Sequence, residues 1–152
     1  MSAKRIAVID YGMGNLKSVC AALAQLGAEP AVTADADGLR RADALVLPGV
    51  GAFGDAARAL DACGLTGTVR QAAADAAAGK GKPFLGVCLG LQLLFGASEE
   101  APGVHGLGVL PGKILRGQGQ ALVEPSGADL PAKSDFDFST HGGLVGCGPG
   151  SG

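Results

Sequence analysis

A chain of 152 residues suits one domain and is long enough to bury a real core. Its 47% hydrophobic and 17% charged residues describe a soluble globular protein, and aromatics at 4% make that core aliphatic and alanine-rich. A net charge of -2, with no cluster of Lys and Arg, excludes an electrostatic footprint for nucleic acid or an anionic membrane and leaves small molecules or a protein as partners.

Charged Lys4-Arg5 lead straight into a short apolar stretch without a signal-peptide core, and no run of about 18 apolar residues occurs, so a cytoplasmic location is expected. Residues Lys4 to Asp10 read as a buried β-branched strand that ends in the tight turn Tyr11-Gly12-Met13-Gly14. Asn15 is a suitable N-cap for the helix that follows. Leu16, Val19, Cys20, Leu23 and Leu26 recur at three- and four-residue steps until Gly27 closes it, which places Cys20 on the buried face.

A second strand is expected near Ala31 to Thr33 and a third over Asp43 to Leu47, halted by Pro48-Gly49-Val50-Gly51. Helices are predicted over about Gly54 to Ala62 and about Thr66 to Ala78. Pro83 to Val87 reads as a further buried strand, with a helix from Leu89 to Phe95 behind it. Strands alternating with helices imply a parallel sheet covered on both faces, with ligands bound beyond the carboxyl ends of the strands.

The sharpest chemical signal is Gly86-Val87-Cys88-Leu89-Gly90, a G-x-nucleophile-x-G sequence between a buried strand and a helix. In such an elbow Gly86 and Gly90 remove the Cβ atoms that a sharp turn would drive into neighbouring backbone. Cys88 then projects at a helix N-terminus, where free N–H groups favour the thiolate, and the Leu89 N–H is placed to receive an oxyanion. A buried structural cysteine at an apolar junction is the plain alternative. Pro48-Gly49-Val50-Gly51 follows a separate strand at the same end of the sheet. Such a glycine loop can turn a peptide N–H inward to complete an oxyanion hole, although an ordinary strand-to-helix turn is the plainer reading of the loop alone. Gly12-Met13-Gly14 lacks the third glycine and the later acidic residue of a dinucleotide fingerprint.

Together, IAVIDYGMGNL (Ile6 to Leu16), LPGVGAFGDA (Leu47 to Ala56), PFLGVCLGLQLLF (Pro83 to Phe95) and SEE followed by PGVHGLGVLPG up to Gly112 resemble the class I glutamine amidotransferase family. DYGMGNL and PGVGAFGDA bring the resemblance to its branch of glutaminase subunits of histidine biosynthesis. The resemblance implies an α/β, flavodoxin-like, doubly wound parallel sheet. Its chemistry would be hydrolysis of glutamine to glutamate and ammonia through a γ-glutamyl thioester on Cys88. Leu89 and the loop of Gly49, Val50 and Gly51 would form the oxyanion region, and Gln92 and Glu100 would contact the bound glutamine. Without the resemblance, Gln92 is a polar residue on a helix's exposed side and Glu100 a solvated loop carboxylate. The implied partner is a synthase (cyclase) subunit with a (β/α)8 barrel, in a heterodimer that makes imidazole glycerol phosphate. No metal or organic cofactor is implied.

The family completes its triad with a His and a Glu in a C-terminal H-P-E segment, and the 152 residues hold none. His105 falls in the PGVHGLG loop, where a solvated role is expected, and His141 is followed by Gly142-Gly143. The amidotransferase part is expected to span 1–116. Beyond it the last 36 residues hold 9 of the 27 glycines, without a convincing period apart from Ala121-Leu122-Val123. Residues 117–152 thus read as an unmatched, loosely structured tail, as an altered reading frame or a premature end would leave, making the fold C-terminally incomplete. Cys20 and Cys63 are expected to fill helix faces. Cys147 has no visible partner, and all four cysteines are expected as reduced thiols.

Overall fold

The computed structural model describes residues 3–116, 121–124 and 144–147. Four parallel strands form early in the chain: β1 (Arg5–Ile9), β2 (Glu29–Thr33), β3 (Ala44–Leu47) and β4 (Phe84–Val87). A fifth, β8 (Leu144–Cys147), pairs parallel with β4, so the sheet order is β2-β1-β3-β4-β8. The chain leaves β1 toward one edge and then returns past it toward the other. With right-handed crossovers, that reversal puts the β1–β2 helix on one face and the later helices on the opposite face.

The later helices are α2 (Ala36–Arg41), α3 (Phe53–Ala62) and α4 (Thr66–Ala77). Leu39, Phe53, Ala56, Leu60, Val69, Ala73 and Ala76 from them close over Ala7, Ile9, Leu45, Leu47 and Phe84 of the sheet. The alanines sit where helix and sheet approach most closely, as the aliphatic composition requires. Val8 and Val46, one residue out of step with that set, are buried toward the other face. There α1 (Leu16–Gln25) packs on β1 and β2.

Asn15 caps α1 as expected, its side-chain oxygen accepting from the Ser18 N–H at 3.3 Å. The burial of that helix is shallower than its period suggests. None of its residues is fully buried, Cys20 is half-buried, and Leu26, just past its end, is 83% exposed. Cys63, expected on a helix face, is instead the exposed C-cap of α3.

The helix predicted over Leu89 to Phe95 is a single turn, α5 (Leu89–Gln92). The chain then turns through the buried Leu93 and Leu94 into β5 (Phe95–Ser98). This strand pairs parallel with β6 (Leu110–Arg116), and β6 pairs antiparallel with β7 (Ala121–Glu124) in a second, three-stranded sheet. The expected tail of 117–152 thus contributes two paired strands, β7 and β8, and its remaining residues lie outside the described ones. Among the described residues no helix is long and apolar enough to cross a membrane.

Candidate active site

Cys88 joins β4 to α5 with φ 54° and ψ -118°, and it is the one non-glycine residue with positive φ among those described. An L-residue held there stores about 1–3 kcal/mol of backbone strain, which persists only where the surroundings enforce it. The flanking glycines show the enforcement. A Cβ on Gly90 would run into the Leu47 carbonyl oxygen and stand 2.7 Å from its carbon, and one on Gly86 would stand 2.9 Å from Leu91 Cα. The turn therefore packs directly against the end of β3 and against its own helix, with no room for side chains at either position. The sharp elbow expected at Gly86 to Gly90 is present in the backbone.

Three loops meet at this point, after the carboxyl ends of β1, β3 and β4. Gly14 lies against the Pro48 ring, and Gly51 against the methyl of Met13. The buried Tyr11 hydroxyl donates to the Pro48 carbonyl at 2.7 Å. Burial pushes the Tyr11 phenol well above its ordinary value, so it stays a neutral donor. A Cβ on Gly49 would come within 2.7 Å of the Tyr11 hydroxyl and 2.8 Å of the Gly90 nitrogen, so the loop's first glycine is wedged between two motifs. The Leu89 N–H, expected to face an oxyanion, here donates to the Gly49 carbonyl at 3.3 Å. Val50, at the loop tip, is 53% exposed.

The remaining candidates are placed as follows. Gln92 lies one helical turn beyond Cys88, its N–H on the Cys88 carbonyl at 3.3 Å, and is half-buried rather than on an exposed side. Glu100 is exposed in the turn after β5, its N–H donating to Ser98 Oγ at 3.2 Å. The adjoining Ala101 packs on Gly54 in the first turn of α3, which brings the Glu100 turn alongside the helix that the Gly49–Gly51 loop leads into. His105 is exposed beside Ala57, Leu60 and Thr66, and His141 lies outside the described residues. Among the described residues no three His, Cys, Asp or Glu side chains gather as metal ligands would. A cavity of about 440 Å³ opens at the opposite end of the strands, by the amino ends of β3 and β4, between Arg40, Gln71, Asp75 and Lys82. Its place at the wrong end of the strands separates it from the Cys88 elbow.

Tyr11 is the residue of this cluster that the sequence did not single out. A tyrosine closing an apolar strand reads as core, and its partner is a backbone carbonyl 37 residues away. No short-range pattern marks such a pair.

A switch-point sheet with a strained cysteine elbow beside a glycine loop is the architecture expected of an amidotransferase. The family model described as glutamine amidotransferase class-I matches residues 7–135, and the chain belongs to that family. The match continues past Arg116 to Asp135.

Among its relatives, the chain is 53% identical over 111 residues to the imidazole glycerol phosphate synthase subunit HisH of Methanothermobacter thermautotrophicus, covering 73% of this chain and 52% of that one. The protein of the same name from Nitrosospira multiformis is 46% identical over 127 residues, covering 82% and 57%. That from Synechococcus elongatus is 52% identical over 115 residues, covering 76% and 50%. The chain thus spans about half the length of the curated relatives it matches. A solved structure described as a glutamine amidotransferase superposes with a TM-score of 0.59 at 24% identity, over 72% of this chain and 56% of that one, and supports the fold.

Proposed function

We propose that this chain is a glutaminase subunit that hydrolyses glutamine through a Cys88 thioester and hands the ammonia to a barrel-shaped synthase subunit making imidazole glycerol phosphate. The observation that carries the reading is the Cys88 backbone, held at φ 54° between two glycines that admit no Cβ and beside the Pro48–Gly51 loop. The relatives named as imidazole glycerol phosphate synthase subunits supply the choice of synthase, and the resemblance of DYGMGNL and PGVGAFGDA supplies histidine biosynthesis. The cytoplasmic location and the heterodimer belong to the same proposal.

In this reading the Cys88 sulfur attacks the γ-carbonyl carbon of glutamine, and the carbonyl oxygen becomes an oxyanion. The Leu89 N–H and an N–H turned inward from the Gly49, Val50 and Gly51 loop receive that charge, a contribution of about 3 kcal/mol per donor in such holes. Gln92 and Glu100 orient the bound glutamine. Collapse of the adduct breaks the carbon–nitrogen bond, ammonia leaves with a proton, and water then cleaves the thioester to give glutamate. Because the Gly49 carbonyl holds the Leu89 N–H, the loop must turn before the hole can act. In this reading the resting site is switched off.

A second reading is favoured by the histidines. His105 is exposed beside α3 and the first residue of α4, and a fold without a base at Cys88 would serve as a catalytically inactive module that docks on its partner. Another class I amidotransferase subunit, feeding a different synthase, is the nearer rival. The test is covalent capture by a chloroketone analogue of glutamine, read by peptide mapping. We expect labelling of Cys88 in preference to the exposed Cys63 and its protection by glutamine. Labelling of Cys63 at an equal rate, with no protection, would remove the glutaminase reading and leave the module.

A further inference from the structure

We propose that Tyr11 is a positioning residue for the oxyanion loop: its hydroxyl fixes the Pro48 carbonyl and so confines the loop's turn to the next peptide, Gly49–Val50. Its purpose rests on the amidotransferase reading above, while its geometry rests on the hydrogen bonds alone. Tyr11 lies in the loop just past the end of β1, is 2% exposed, and donates to the Pro48 carbonyl just past the end of β3, the neighbouring strand. Pro48 has a fixed φ of its own, so with its carbonyl also held the orientation of the Pro48–Gly49 peptide is set. Beyond it the restraint falls away. Gly49 is a glycine, Val50 is half exposed, and Gly51 has φ +100°.

Rotation about Gly49 ψ and Val50 φ exchanges the Gly49 carbonyl, now on the Leu89 N–H, for the Val50 N–H. That exchange leaves Pro48 where it is. A loop pinned at its base delivers the Val50 N–H to one place, whereas an unpinned loop would spread it over many. A phenylalanine at position 11 would fill the same space and leave the Pro48 carbonyl without its donor.

The experiment compares wild type with Tyr11→Phe in two measurements. Residue-resolved amide exchange is expected to quicken about tenfold or more at Leu89, for the loss of one buried hydrogen bond, with Val69 in α4 unchanged. Capture of Cys88 by the chloroketone, whose tetrahedral adduct uses the hole, is expected to slow about tenfold. Alkylation of Cys88 by iodoacetamide, a direct displacement that needs no oxyanion hole, is expected to hold its rate. Leu89 exchange that is unchanged, or that quickens by the same factor as Val69, overturns the proposal, as does a parallel fall in both alkylation rates. Wild-type chloroketone labelling that ignores Cys88 defeats the amidotransferase reading instead, and the Leu89 to Val69 comparison still decides whether Tyr11 pins the loop.

Discussion

At the carboxyl end of β4 one residue carries the backbone strain and two others make it tolerable. Replacing Gly90 by Ala would drive a methyl group into the Leu47 carbonyl, backbone that β3 holds in place, so a loss of about 3 kcal/mol or more is expected in urea unfolding. A smaller loss at Gly90 would mean that the elbow opens easily. This turn was legible in the sequence, because a turn with no room for Cβ atoms can be built only with glycine at fixed offsets from Cys88. Tyr11 was not legible, and its burial makes a separate prediction. It is the single tyrosine of a chain without tryptophan, so tyrosinate absorbance reports on it alone. Its folded phenol titrates above the ordinary value, so below about pH 10 its contribution to stability is fully present. As the pH rises beyond that the unfolded chain sheds a proton that the folded chain keeps, and stability falls by up to about 1.4 kcal/mol per pH unit until the folded phenol also ionises. Urea unfolding on both sides of that pH should show this slope in wild type and its absence in Tyr11→Phe, and equal slopes would mean that the phenol reaches solvent.

Among the helices, those with a repeating apolar stripe were readable and α2, without one, was not. α1, α3 and α4 announce themselves by repeats such as Val69, Ala73 and Ala76, whereas α2 buries only Leu39 and is held by its ends. Asp35 caps its start, accepting from the Gly38 N–H at 2.7 Å, and Lys82 closes its end by donating to the Leu39 carbonyl at 3.0 Å and to the Arg40 carbonyl. Lys82 comes from the loop before β4, so α2 is completed by a residue more than forty positions away that no local pattern ties to it. Substituting Lys82 with Met keeps the stem and removes the donor, and a loss of about 1–2 kcal/mol is expected in denaturant unfolding. An unchanged midpoint would assign those carbonyls to solvent. The run from Leu89 to Phe95 misled for a different reason. Continuous apolar sequence cannot separate a buried helix from a buried turn entering a strand, and here Leu93 and Leu94 are buried by the turn itself. β6 was hidden by Pro111 and Gly112, which usually break strands, yet Gly112 takes φ +115° inside this one.

Across the whole molecule the order β2-β1-β3-β4-β8 sets the site, because reversal of direction at β1 opens the crevice into which the loops after β1, β3 and β4 all project. Sequence alternation was enough to foresee PGVG and GVCLG at one end of the sheet, whereas the approach of DYGMG to them was not foreseen. Among the described residues the one histidine is His105. Forming the thioester requires a proton for departing ammonia, and cleaving it requires one to be taken from water. His105 is exposed beside Ala57, Leu60, Thr66 and Leu93, the last at the far end of α5 from Cys88. A polypeptide of this sequence is therefore expected to release glutamate several orders of magnitude more slowly than a full-length relative, even beside a barrel synthase subunit, as removal of the base does in other triad systems. In the proposed reading Cys88 and the Leu89 N–H do not depend on that base, so slow single-turnover capture of the chloroketone remains expected while repeated turnover does not. The assay is glutamate release with and without the synthase subunit, using Cys88→Ala as the blank. Partner-stimulated release that depends on Cys88 and approaches the rate of a full-length relative would show that a base is present after all. His105→Ala and His141→Ala would then say whether it comes from this chain or from the partner.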